Sequence, residues 1–258
     1  ATILEMVALT RLDCMIGSSA LMRQALVQAI HHARHRHAFG RPLIDHALMQ
    51  NVLADLALDS EAAIVLSLRV ARAVDAAPHD AGEAALARVA TAIGKYAICK
   101  RCAPFVNEAQ ECLGGAGYVE ESMLPRLYRQ APLNSIWEGS GNIQCLDVLR
   151  AFSREPETRE ALFAELLSVR GAHAALDAEL HWLNEALDEH GTLEVRARLL
   201  VERMALALQA ALLLKSGNEA IASLWCATRL GGERGQNYGT LPVDAPRALL
   251  IERAFPEL

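Results

Sequence analysis

Apolar residues recur at three- and four-residue spacing along almost the whole chain, and no stretch alternates with period two. That rhythm lines one face of a helix and disfavours a half-buried strand, leaving helix packed on helix as the architecture. Composition agrees where it matters: 52% of residues are hydrophobic but only 5% aromatic, so the core is built from Ala and Leu. Both are strong helix formers. At 258 residues the chain has ample material for one large core or two smaller ones. No apolar run approaches the roughly 20 residues that span a bilayer, and no signal peptide is visible, so membrane association is not expected.

Helix ends can be placed from caps and breakers. Asp13 is expected to cap a first helix reaching about His37, with Met15, Met22, Leu26, Ala29 and Ile30 on one face. Phe39 to Leu43 reads as a turn. A second helix from about Asp45 carries Leu48, Val52, Leu56, Ala63, Ser67, Ala71 and Val74. After a loop at 76–82, a third carries Leu86, Val89, Ile93, Tyr96, Phe105, Val106 and Cys112, with Gly114 as a left-handed cap beyond it. A loop to about Asn134 precedes a short amphipathic helix (Ile143, Leu146, Leu149) from Gly139 to about Ser153. Arg154-Glu155-Pro156-Glu157 marks a boundary, giving domains 1–153 and 154–258. Beyond it come one helix carrying leucines from Leu162 to Leu187, a very apolar helix from Leu193 to Lys215, one capped by Asn218, and a last at 245–254.

The six cysteines sit inside apolar helical patterns. Cys99 and Cys102 have CxxC spacing, but with no second pair and no turn between them they read as small core residues, and a reduced cytoplasmic location is the default. His31, His32, His35 and His37 have irregular spacing and no acidic or thiol partner nearby, so no metal site is expected. The chain starts at Ala1 in mid-pattern and reads as a piece of something longer.

Two short motifs carry the chemistry. In Ile136-Trp137-Glu138-Gly139-Ser140-Gly141-Asn142-Ile143-Gln144 a carboxylate stands at a bend just before a helix, able to project into a cavity. Upstream, Leu113-Gly114-Gly115-Ala116-Gly117 ends a long helix in a glycine cluster. Together they resemble the signature of the acyl-CoA dehydrogenase flavoproteins. The resemblance implies an all-α, four-helix-bundle-like carboxy-terminal domain followed by a helical extension. It also implies FAD as cofactor, an acyl-CoA thioester as substrate, and Glu138 as the base that takes the Cα proton while the Cβ hydrogen leaves as hydride. A water-excluding cavity would raise that carboxyl's pKa toward a useful range, and the Glu138 N–H would help polarise the thioester carbonyl. The alternative base position of some relatives is occupied here by Thr10, which cannot serve.

The same resemblance implies the remaining contacts. Arg36 and Phe39, in Arg36-His37-Ala38-Phe39-Gly40, match an element that reaches the FAD of a neighbouring subunit, as do Glu111, Gly114 and Gly115. Ser140, Gly141 and Asn142 match the FAD-binding residues after the catalytic glutamate. Arg11 and Gly139 fall on the substrate side. The chain departs from the family pattern at Ala8, Ala47, Glu111 and Gln130, which weighs against ordinary fatty acyl-CoA specificity. Val7 to Cys14, Ile98 to Arg101, Glu121 to Tyr128 and Trp137 to Asn142 closely resemble the AidB-type, alkylation-response branch, associated with DNA binding and poorly defined dehydrogenase activity.

Two functions therefore compete: an FAD-dependent dehydrogenase, assembled as a homo-oligomer, and a flavoprotein scaffold used for DNA binding or protection. Charge disfavours DNA. The net charge is −6, and a one-sided patch of Arg196, Arg198 and Arg203 would be needed to grip phosphates.

Overall fold

The computed structural model describes residues 2–255. The amino-terminal part is built on three long helices: α1 (Thr2–His35), α2 (Ala47–Ala76) and α3 (Ala81–Glu111). Cys99 Sγ meets the Cys14 carbonyl and Cys102 Sγ the Ser18 carbonyl, so α1 and α3 run parallel. Arg101 pairs with Asp59 while Leu66 lies beside Gly94, so α2 runs antiparallel to α3. Gly94 allows the close approach, because a Cβ there would lie 2.3 Å from Met15 Cε. Two short strands, β1 (His37–Ala38) and β2 (Arg41–Pro42), form a hairpin between α1 and α2. Short helices α4 (Gly115–Tyr118) and α5 (Leu124–Gln130) then lead to α6 (Gly141–Arg154).

The later residues add α7 (Pro156–Leu167), α8 (Ala174–Asp188), α9 (Leu193–Lys215), α10 (Glu219–Trp225), a π turn at Cys226–Leu230 and α11 (Arg247–Ala254). One hydrophobic core runs through both parts, from Met15, Leu66 and Phe105 to Leu200, Met204 and Leu250. A buried polar clamp joins them as well. From the π turn, Arg229 reaches Asp55 and Asp59 on α2 at 2.5 and 2.6 Å, and Tyr238 donates its hydroxyl to Asp59 at 2.8 Å. Burial alone would push the Asp59 carboxyl up, but Arg229 and Arg101 outweigh it and hold it well below the usual range. Breaking such a buried pair by removing one partner leaves the other charge uncompensated. Among the described residues no helix is long and apolar enough to cross a membrane.

Several expectations are corrected. Asp13 is an exposed residue in the middle of α1, not its cap, because the helix begins more than two turns earlier. The stretch 112–134 is not a loop but holds α4, α5 and a short 3-10 turn, kept brief by their glycines and prolines. Leu162 to Leu187 is two helices, because Gly171 turns the chain at φ +85°. Gly114 has positive φ but ψ −140°, a region open only to glycine and not the left-handed helical cap expected. Leu48 is exposed, although the rest of its α2 stripe is largely buried.

The apolar face of α6 is also reversed. Ile143 and Leu146 are exposed, whereas Gln144 and Asp147 are buried beside Cys145 and Val148. The polar pair is turned inward because both side chains have work at the bend that precedes the helix.

Candidate functional site

That bend is Glu138-Gly139. Glu138 has φ +57° and Gly139 φ +97°. Positive φ is natural for glycine but costs a residue with a Cβ about 1–2 kcal/mol, so the surroundings must hold it. They do so through carbonyls. Arg11 Nε and Gln144 Nε2 donate to the Glu138 carbonyl at 3.0 and 3.1 Å. Gln144 Nε2 also reaches the Gly139 carbonyl at 2.9 Å. Lys95, fully buried in α3, donates Nζ to the carbonyls of Trp137 at 2.7 Å and Gly139 at 2.5 Å. A buried ammonium is costly, and burial pushes the Lys95 pKa down, with Arg11 adding to the effect.

Outside this ring the brace continues. Arg11 Nη1 pairs with Asp147 at 2.8 Å, and Arg88 holds the other Asp147 oxygen at 3.0 Å. Trp137 Nε1 donates to Asn134 Oδ1, whose amide donates to Ser18 Oγ. Beside the turn Gln144 Oε1 is buried without a partner, and two groups of Glu138 itself are left over. Among the described residues, neither the Glu138 carboxylate nor its own N–H makes a hydrogen bond or ion pair. The side chain is half-buried, and Ile136, Trp137 and Ile143 are exposed around it. The arrangement offers a free carboxylate and a free N–H beside a half-open apolar surface.

Ser140, Gly141 and Asn142 follow directly. Ser140 is the N-cap of α6 but makes no side-chain capping bond, so the first amides of α6 remain available. Gly141 packs close to Tyr96 and Arg198. Arg11 belongs to this cluster too, braced between Glu138 and Asp147 rather than free.

The other expected site residues gather elsewhere. Arg36 and Phe39 lie on the β1–β2 hairpin at the far end of α1, and Glu111, Gly114 and Gly115 lie at the matching end of parallel α3. From Arg11 to His35 the helix rises about 36 Å. All five residues are exposed. Phe39 is 94% exposed at φ +52°, its ring edge-on to His46. A Cβ at Gly114 or Gly115 would meet nothing within 4 Å. The chain thus presents two clusters at two ends. One has open backbone, an aromatic face and an arginine; the other has a free carboxylate and free helix amides. Both fit the pieces of a dinucleotide site: the first suits pyrophosphate and a flat base, the second a polar ring edge.

Sequence reading missed Lys95, Gln144, Asp147 and Asn134. Lys95 left a trace: it is the one charge in the otherwise uncharged run from Val89 to Cys99. Of the three arginines proposed for a DNA patch, Arg198 is exposed and, among the described residues, makes no hydrogen bond or ion pair, whereas the other two are engaged. Arg196 donates to the Ala186 carbonyl and pairs with Glu189, and Arg203 pairs with buried Glu179. Among the described residues no group of three side chains is arranged to hold a metal.

Residues 1–153 match the model of the acyl-CoA dehydrogenase C-terminal domain. The chain is 44% identical over 233 residues to AidB of Escherichia coli (strain K12), provisionally named an acyl-CoA dehydrogenase; the match takes in 90% of this chain and 42% of AidB. It is 31% identical over 212 residues to acyl-CoA dehydrogenase family member 11 of Caenorhabditis elegans, covering 81% of this chain and 34% of that protein. The crystal structure of Caenorhabditis elegans ACDH-11 in complex with C11-CoA superimposes with a TM-score of 0.81 at 25% identity, over 87% of this chain and 43% of that one. The chain therefore spans well under half the length of these relatives.

Proposed function

This chain belongs to the acyl-CoA dehydrogenase family, and we propose that it is the base-bearing helical part of an FAD-dependent acyl-CoA dehydrogenase-type oxidoreductase. The observation that carries the reading is the Glu138 turn: a strained backbone held by buried Lys95 and Gln144 and half-buried Arg11, with its carboxylate left free. A thioester Cα–H is weakly acidic because the enolate spreads charge onto the carbonyl oxygen. Glu138 takes that proton, and its own N–H, which shares a peptide plane with the Trp137 carbonyl held by Lys95, stabilises the oxygen. Exposed Ile136, Trp137 and Ile143 receive the apolar part of the substrate and help exclude water. FAD would supply the acceptor for the Cβ hydride, held by Ser140, Gly141 and Asn142 of one copy and by Arg36, Phe39, Glu111, Gly114 and Gly115 of another.

The two-copy arrangement follows from the separation of the clusters along α1, and it makes a homo-oligomer the working form. Exposed Ile3, Met6 and Leu9 on α1, with Ile143 and Leu146 on α6, are apolar surfaces that suit contact with further protein. Isolated as 258 residues, the chain is expected to unfold cooperatively yet hold little FAD and turn over no acyl-CoA. Stoichiometric FAD in that preparation would show that the site needs no further wall.

The test of the base is Glu138→Gln in the full-length protein, followed by visible absorption during addition of an acyl-CoA panel. Flavin content stays the same, and flavin bleaching slows by about 10²–10⁴-fold. An unchanged bleaching rate removes Glu138 from the mechanism.

A further inference from the structure

A cavity lies on the opposite side of α3 from the Lys95 contacts, between α3, α9 and the π turn. It encloses about 490 Å³. Four arginines line it, Arg101, Arg203, Arg229 and Arg234, with Asp59 and Glu202 as the acidic residues. The acids do not balance the cations. Asp59 already accepts from Arg229, Arg101 and Tyr238, which uses both of its oxygens, and Glu202 is exposed. Arg203 and Arg229 are paired with carboxylates. The other two keep unspent donors. Arg101 donates through Nε alone, so among the described residues neither of its Nη atoms has a hydrogen-bond partner, and the Arg234 guanidinium makes no hydrogen bond or ion pair.

A guanidinium held half-buried beside like charges is costly, and burial followed by Arg229 pushes the Arg234 pKa down. An anion between Arg101 and Arg234 would remove that cost. The rest of the lining is mostly apolar, with Leu199, Leu206, Pro104, Ala97 and Trp225 outnumbering the polar Lys100, Gln209 and Tyr96. A bare inorganic ion would leave most of this surface in contact with nothing.

We propose that this cavity binds a small organic carboxylate, its anionic end taken by the Arg101 and Arg234 guanidiniums and its apolar body laid against Leu199, Leu206 and Pro104. The cavity is independent of the Glu138 site, because its donors lie on α3, the π turn and the segment after it. The π turn is what brings Arg229 and Arg234 to α3, so the extension contributes a binding function as well as packing.

Calorimetric titration of the full-length protein tests this with three probes: phenylbutyrate, its uncharged amide, and sulfate. The acid binds, while the amide and sulfate each bind about tenfold more weakly or worse, since one lacks the charge and the other the body. Arg234→Ala weakens the acid about tenfold or more. Ala97→Leu, which narrows the cavity and removes no arginine, does the same with the melting temperature retained. Acid binding that survives both variants belongs to another site and overturns the proposal. So does equal binding of the amide or of sulfate, or no heat from any probe.

Discussion

Phe39-Gly40 and Glu138-Gly139 turn the chain by the same device. In each, a bulky residue and the glycine after it both sit at positive φ. Among the described residues Phe39 and Glu138 are the two non-glycine residues with this backbone. Their surroundings are opposite. Around Glu138, Lys95, Arg11 and Gln144 fix three successive carbonyls. Around Phe39 a two-pair hairpin and the edge of His46 are the support, and the ring stands in solvent. On the proposed reading, strain kept in place by a buried brace serves a group that must not move during reaction, and strain left on an exposed hairpin tip serves a group presented outward to a docking partner.

The sharpest way to break the comparison is at Lys95. Lys95→Met removes the charged donor from two carbonyls and leaves them buried. Stability is expected to fall by about 2 kcal/mol, which lowers the melting temperature by roughly 4–8 °C for a chain of this size. Flavin content and KM should hold while kcat drops, because the base moves but the binding surfaces do not. A matching loss from any single change at the Phe39 hairpin would erase the distinction between the turns.

Acid should loosen one turn and spare the other. Burial raises the Asp147 carboxyl, but Arg88 and Arg11 outweigh it and leave it below its ordinary value. A folded pKa below the unfolded one contributes stability that is fully present above the unfolded value of about 3.9. That contribution is lost as pH falls through the folded value, when Arg11 loses its partner and with it its hold on the Glu138 carbonyl. Asp59 adds a loss of the same sign from the clamp to the extension. Denaturant titrations at neutral and acid pH should therefore show a smaller pH dependence in Asp147→Asn than in the unsubstituted protein. Phe39→Gly should keep the original dependence, since among the described residues no carboxylate bonds to that hairpin.

These differences also explain what could be read from sequence. Helical content and the buried faces of α1 and α3 follow from spacing alone, because Met15, Met22, Leu26, Leu86, Val89 and Ile93 repeat with the helix. Helix ends were less legible. Asp13 has a cap's chemistry but lies mid-helix on the surface, and the leucine rhythm of 162–187 runs straight through a glycine turn. The Glu138 motif was legible as a motif, yet its brace was not. Lys95 comes from α3 and the neighbouring pair Gln144 and Asp147 from α6, and they converge only in three dimensions. Their burial inverts α6, so the stripe of Ile143 and Leu146 that reads as core is surface.

The smallest change in stability is expected at Phe39 itself, and it separates strain from function most cleanly. Phe39→Gly releases the positive-φ penalty of about 1–2 kcal/mol, but glycine loses about 0.5–1 kcal/mol more backbone entropy on folding. The ring buries almost nothing, so the two terms leave a net change of about 1 kcal/mol or less. If the ring exists to meet a flavin across a subunit contact, that near-neutral change in melting should come with loss of FAD from the assembled full-length protein. Glu138→Gln, by contrast, should keep FAD and lose rate. Full flavin occupancy in Phe39→Gly would leave the hairpin without a binding role and turn its strain into a matter of local chain geometry.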